Sequence, residues 1–163
     1  MKTIITILLF ICSSIFIHAQ QTEKNYPTKI PTFRFEKIKN EGEFKTSDIK
    51  KDKKTLIAIL SPNCIHCLIS MEHLNANSNL LKDINTIFVT EYEKDEFLSK
   101  FNSIAPQLKE LATVEVLQDT RYEFFDLFNP TTLPTFYLYD KEGKLETVKK
   151  GSVEVNELFN YLK

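Results

Sequence analysis

The stretch that decides the fold is Thr55-Leu56-Ile57-Ala58-Ile59-Leu60-Ser61-Pro62-Asn63-Cys64-Ile65-His66-Cys67. Its first six residues form a continuous apolar, β-branched run, the pattern of a strand buried on both faces. Ser61, Pro62 and Asn63 break that strand and offer a capping side chain. Cys67, Met71 and Leu74 then recur at i, i+4 and i+7, one face of a helix whose clear portion ends in residues 75–79. Two cysteines thus stand where a buried strand gives way to a helix start. The first N–H groups of a helix lack partners and form its positive dipole end, so Cys64 is expected to be held as a thiolate. The thiolate is the attacking form, which makes Cys64 the expected nucleophile and Cys67, about one turn further and more buried, the resolving thiol. His66 lies inside the loop and is expected to modulate the couple by donating to the Cys64 sulfur. One such bond, roughly 1.5–3 kcal/mol, corresponds to roughly 30–60 mV, against about 150 mV between known reducing and oxidising couples. It does not set the redox direction.

Working outward, residues 33–35 (Phe-Arg-Phe) alternate as a first short strand, residues 40–54 are polar and Lys-rich, and the lysine run over residues 50–54 reads as a solvated loop. After the helix, residues 86–90 read as a second buried strand, Phe97, Leu98 and Phe101 mark a helix, and residues 114–117 read as a third strand. Glu91 is assigned, with Glu93, Asp95 and Glu96, to a solvated acidic turn or helix start. Thr120-Arg121-Tyr122-Glu123 has the capping-box pattern before a helix ending near Phe128, whose Phe124, Phe125 and Phe128 are assigned to the core. Residues 136–139 and 145–148 flank a turn containing Gly143, a hairpin pattern. Ser152 is placed to cap a last helix in which Val155, Leu158, Phe159 and Leu162 share a face. Strand–helix alternation followed by a hairpin and a closing helix predicts an α/β sandwich around a mixed sheet.

At the other end, Met1 and Lys2 precede an apolar stretch over residues 4–17 and then a polar run. That stretch is shorter than the roughly 20 residues needed to cross a bilayer and has the layout of a secretory signal, with cleavage expected after Ala19. An uncleaved membrane anchor is the alternative. The expected division is therefore a signal peptide over 1–19, an extended leader over 20–32 and one domain over 33–163. Removing the signal also removes Cys12, leaving Cys64 and Cys67 in a compartment where disulfides persist. A disulfide closing so small a loop restrains little chain entropy, so redox chemistry explains the pair better than structural stapling. The 163 residues, 42% hydrophobic and 26% charged, suit one globular domain; 21 Lys plus Arg against 22 Asp plus Glu build in no overall attraction to nucleic acid. Three Gly and six Pro without a repeat exclude solenoid and collagen-like architectures.

The buried strand, Cys64-Ile65-His66-Cys67 at a helix start, and Thr132-Leu133-Pro134-Thr135 before an apolar strand and Asp140-Lys141-Glu142-Gly143-Lys144 together resemble thioredoxin-like proteins. Residues 41–49 look like the insertion-bearing exported branch, the TlpA/ResA-type thiol-disulfide oxidoreductases of the redoxin group. The resemblance covers approximately residues 33–163. It implies a three-layer thioredoxin-like sandwich, with Pro134 a cis-proline facing the sulfurs and the backbone of Leu133 pairing with an extended substrate segment. Asn63 and Thr132 stand where relatives usually carry Trp and Gly, and the strand before the motif carries no buried carboxylate. The function implied is an exported, periplasmic or otherwise extracytoplasmic thiol-disulfide oxidoreductase, without cofactor or metal. Its partners would be protein thiols and disulfides and an upstream electron donor or acceptor, with no nucleic acid and no stable membrane insertion once the signal is cleaved. Two other classes stay open: a copper or other metal chaperone using the two sulfurs, and a non-catalytic thioredoxin-like binding module. A closed zinc site would need four converging ligands, and His73 lies nearly two turns from Cys67.

Overall fold

The computed structural model describes residues 25–163. The expected signal, its cleavage site and Cys12 lie outside the described residues. No helix among the described residues is long and apolar enough to cross a membrane.

Seven strands form one sheet among the described residues: β1 (Arg34–Lys37), β2 (Glu43–Lys45), β3 (Thr55–Ile59), β4 (Asn85–Thr90), β5 (Val114–Gln118), β6 (Thr135–Tyr139) and β7 (Leu145–Lys150), in spatial order β2-β1-β5-β4-β3-β6-β7. β3, β4 and β5 run parallel, with Ala58 beside Phe88 and Phe88 beside Val116, while β6 lies antiparallel to β3 with Phe136 opposite Ala58. β7 completes the expected hairpin, turning at Gly143, whose φ of 74° is the left-handed conformation that favours glycine. The helices are α1 (Ile65–Ala76), α2 (Lys94–Ile104), α3 (Pro106–Lys109), α4 (Phe124–Phe128) and α5 (Gly151–Leu158).

Every residue of β3 is buried, as its unbroken apolar run requires, and alternation along the strands divides the core in two. Leu56, Ala58, Phe88 and Phe136 meet Cys67 and Met71 of α1, Phe97 and Phe101 of α2, and Val155 and Leu158 of α5. Ile57, Ile59, Val89 and Tyr137 point the other way, against Phe33, Phe35 and the α4 residues Phe124 and Phe128. The result is the three-layer α/β sandwich around a mixed sheet that the sequence predicts. The described part of the leader lies along the hairpin: Ile30 N–H donates to Gly143 O (3.1 Å) and Leu145 N–H to Thr28 O (2.9 Å).

Several local expectations are corrected. The polar stretch over residues 40–54 holds a strand that its composition does not announce: Glu43–Lys45 pairs with β1, Phe44 opposite Phe35, burying one apolar side chain of an otherwise polar segment. Phe125 faces solvent at 42% exposure, since the five-residue α4 buries only its Phe124 and Phe128 face. The Thr120–Glu123 capping box does not form. α4 starts only at Phe124, and the buried Asp119 accepts from Phe124 N–H (2.7 Å), while Thr120 donates to Glu36 and Glu123 pairs with Arg121. Ser152 is not a cap either. It is the second residue of α5, and the Glu154 carboxylate accepts the Lys150 N–H instead (2.8 Å).

Candidate active site

The parallel strands β3, β4 and β5 end at one edge of the sheet, and the chain entering β6 arrives at that same edge. Four segments therefore converge there: residues 61–64, the start of α2, residues 119–124 and residues 131–134.

Cys64 occupies the N-cap position of α1 with extended backbone (φ −102°, ψ 113°), and no side chain caps this helix. The capping role expected of residues 61–63 is not realised. Ser61 Oγ instead accepts from Asn63 N–H (3.2 Å), and the Asn63 amide donates to Glu96 Oε1 of α2 (2.8 Å). These bonds shape the turn into Cys64 while leaving the first N–H groups of α1 free of a competing side chain. The Cys64 sulfur is half-buried and its S–H donates to Leu133 O (3.6 Å). The Leu133–Pro134 peptide is cis.

Cys67 is fully buried on the inner face of α1, with its sulfur accepting Ser61 N–H (3.4 Å). Burial pushes this thiol far above its usual range; the Ser61 N–H opposes the shift, and the neighbouring Cys64 adds to it. The two sulfurs thus have different environments, one reachable from solvent and one enclosed and protonated.

His66 projects from α1 to α5, its Nδ1 3.0 Å from Ser152 Oγ, and it makes no hydrogen bond to either sulfur among the described residues. Their sequence neighbours Ile65 (61% exposed) and Val153 (83% exposed) present apolar surface to solvent. One residue before Ser152, Gly151 N–H donates to Pro134 O (2.9 Å), so the start of α5 touches the Pro134 segment as well.

Glu91 departs from the solvated turn assigned to it. Its Oε1 is buried without a partner, and burial, then the nearby Asp119 carboxylate, raise its carboxyl above the usual range. The signal for this was present in the sequence, since Glu91 directly follows a buried strand, but its proximity to Asp119 depends on β4 and β5 being neighbours. Among the described residues no three His, Cys, Asp or Glu side chains converge as metal ligands would.

No protein-family profile matches the chain, and no curated protein sequence matches it. Solved structures do. MTB DsbF, in its mixed oxidised and reduced forms, is 16% identical, with 85% of this chain and 97% of that one covered at a TM-score of 0.67. The thioredoxin domain of a thiol-disulfide oxidoreductase from Bacteroides vulgatus is 15% identical over 85% and 99% of the two chains, TM-score 0.63. The pneumococcal exposed lipoprotein thioredoxin from Streptococcus pneumoniae is 18% identical over 81% and 98%, TM-score 0.59. At these identities the likeness shows the fold, and that fold is thioredoxin-like.

Proposed function

We propose that this chain is an extracytoplasmic thiol-disulfide oxidoreductase that exchanges its Cys64–Cys67 pair with protein substrates through a mixed disulfide at Cys64. One observation carries the reading: a reachable sulfur at an uncapped helix start, against the carbonyl of Leu133, has an enclosed second thiol one turn away. Two neighbours named as a lipoprotein thioredoxin and a thiol-disulfide oxidoreductase, and a third solved in mixed oxidised and reduced forms, support it.

In the reducing direction the Cys64 thiolate attacks a client disulfide. A Cys64–client S–S bond forms, and the client's other sulfur leaves as a thiolate. Cys67 gives up its proton, which that departing thiolate can take, and attacks the Cys64 sulfur. The Cys64–Cys67 disulfide closes, the client leaves with two thiols, and two electrons have moved from the pair to the client. Its burial keeps Cys67 protonated until the mixed disulfide is in place, so the resolving thiol does not compete for incoming clients. The backbone of Leu133, whose carbonyl already faces Cys64, is the edge along which an extended client segment would lie. The reverse sequence oxidises a dithiol client. The apolar stretch over residues 4–17, and the fact that Cys64 and Cys67 are the only cysteines of the given sequence besides Cys12, support an exported protein whose redox pair is this one.

The test is a Cys67→Ser variant expressed in the native compartment. It should accumulate adducts with client proteins that disappear under reductant and in Cys64→Ser. No Cys64-dependent adduct, with both variants folded and abundant, would overturn the proposal.

A further inference from the structure

The contact between His66 and Ser152 is not needed for the exchange step, yet it joins the motif to the far end of the chain. Its geometry excludes the role that sequence spacing suggests for each residue. Ser152 does not cap α5, being its second residue, and the one hydrogen bond of the His66 ring among the described residues joins its Nδ1 to Ser152 Oγ at 3.0 Å, not to Cys64. Whichever of the two donates, the bond selects one orientation of the ring, directed along α5 and away from the half-buried sulfur. The partner is itself held in place, since the residue before it donates its N–H to Pro134 O at 2.9 Å. The start of α5 therefore grips both halves of the site, the Pro134 segment through Gly151 and the motif helix through Ser152.

We infer that Ser152 is a positioning residue that holds the His66 ring off the Cys64 sulfur and thereby sets the dithiol–disulfide equilibrium of the pair. The inference rests on the exchange reading above. A ring released from Ser152 can rotate to donate to the Cys64 thiolate, which stabilises the reduced protein and makes the couple more oxidising. The Ser152 hydroxyl keeps the couple more reducing than the motif alone would make it.

The test equilibrates protein purified from cells expressing the full chain in glutathione buffers, where protein disulfide plus two glutathione thiols yields protein dithiol plus glutathione disulfide. Ser152→Ala should shift this equilibrium toward the dithiol by about three- to tenfold, tenfold being about 30 mV for a two-electron couple. Ser152→Thr, which keeps the hydroxyl, should retain the original constant. In a His66→Ala background Ser152→Ala should have no further effect, which separates positioning of the ring from general loosening of α5. An unchanged constant in Ser152→Ala, or the same shift without His66, overturns the inference. If Ser152→Ala fails to fold, imidazole nitrogen NMR of the unaltered protein decides: a single held tautomer at His66 supports the contact, and a freely averaging ring overturns it. A pair that never closes in the unaltered protein overturns the exchange reading, and this inference falls with it.

Discussion

Cys67 is fully enclosed while Cys64 keeps part of its surface in solvent, a difference that predicts an order of reactivity. In the reduced native protein iodoacetamide should modify Cys64, and Cys67 only after unfolding, as read by peptide mass; equal labelling of both in the folded protein would contradict this. Glu91 supports a second prediction. Because its carboxyl is raised in the folded protein, the fold binds that proton more tightly than the unfolded chain does. The associated stability is therefore present below the ordinary carboxyl range, about pH 4.3, and is lost as pH rises through the raised value. Glu91→Gln removes that loss. It should stabilise the protein at pH 7, by at most about 1 kcal/mol because part of the side chain remains in solvent, and the gain should vanish near pH 3. Urea unfolding at the two pH values measures it. The half-buried position of Glu91 follows from the buried strand just before it, but the second carboxylate near it, Asp119, follows β5, 28 residues further along the chain, which no local pattern reveals.

The elements show where caps can be read from sequence and where they cannot. The Thr-x-x-Glu pattern at residues 120–123 would cap a helix starting at Arg121, yet Tyr122 takes a left-handed conformation (φ 58°) and helix begins at Phe124. The cap is Asp119, fully buried at the end of β5, whose two oxygens accept from Arg121 and Phe124 N–H. Asp119→Ala should cost about 1–2 kcal/mol, near the upper end for a lost N-cap, whereas Thr120→Ala, which removes one exposed bond to Glu36, should cost at most about 0.5 kcal/mol. Chemical denaturation of the two variants distinguishes the assignments. The motif helix α1 differs in kind, with no side chain competing for its first N–H groups, the arrangement a reactive sulfur at its start requires.

The molecule as a whole is electrically polarised although its formal net charge is only −1. Residues 91–96 and 119–126, which follow β4 and β5 at the Cys64 edge, carry seven carboxylates against Lys94 and Arg121. The loop over residues 50–54, leading into β3 at the opposite edge, carries four lysines and one aspartate. Surface potential of this kind acts on encounter rates. At low ionic strength Cys64 should therefore exchange faster with a Lys-flanked disulfide peptide than with a Glu-flanked one, and 0.5 M salt, which shortens the screening length to a few ångströms, should bring the rates together. Stopped-flow measurement of the two peptides checks it, and rates that are equal at low salt would contradict it.

The mixed sandwich, its central strand and the two-sulfur chemistry were legible along the chain because they depend on local spacing: an unbroken apolar run, a helical repeat through Cys67, Met71 and Leu74, and cysteines two residues apart. The cis Leu133–Pro134 bond was legible through the family resemblance alone. The short strand β2, the partner of His66, the cap of α4 and the pairing of Glu91 with Asp119 required the folded chain. Each joins residues whose separation in sequence carries no periodic signal, and the last of them is set by β4 and β5 ending side by side at one edge of the sheet.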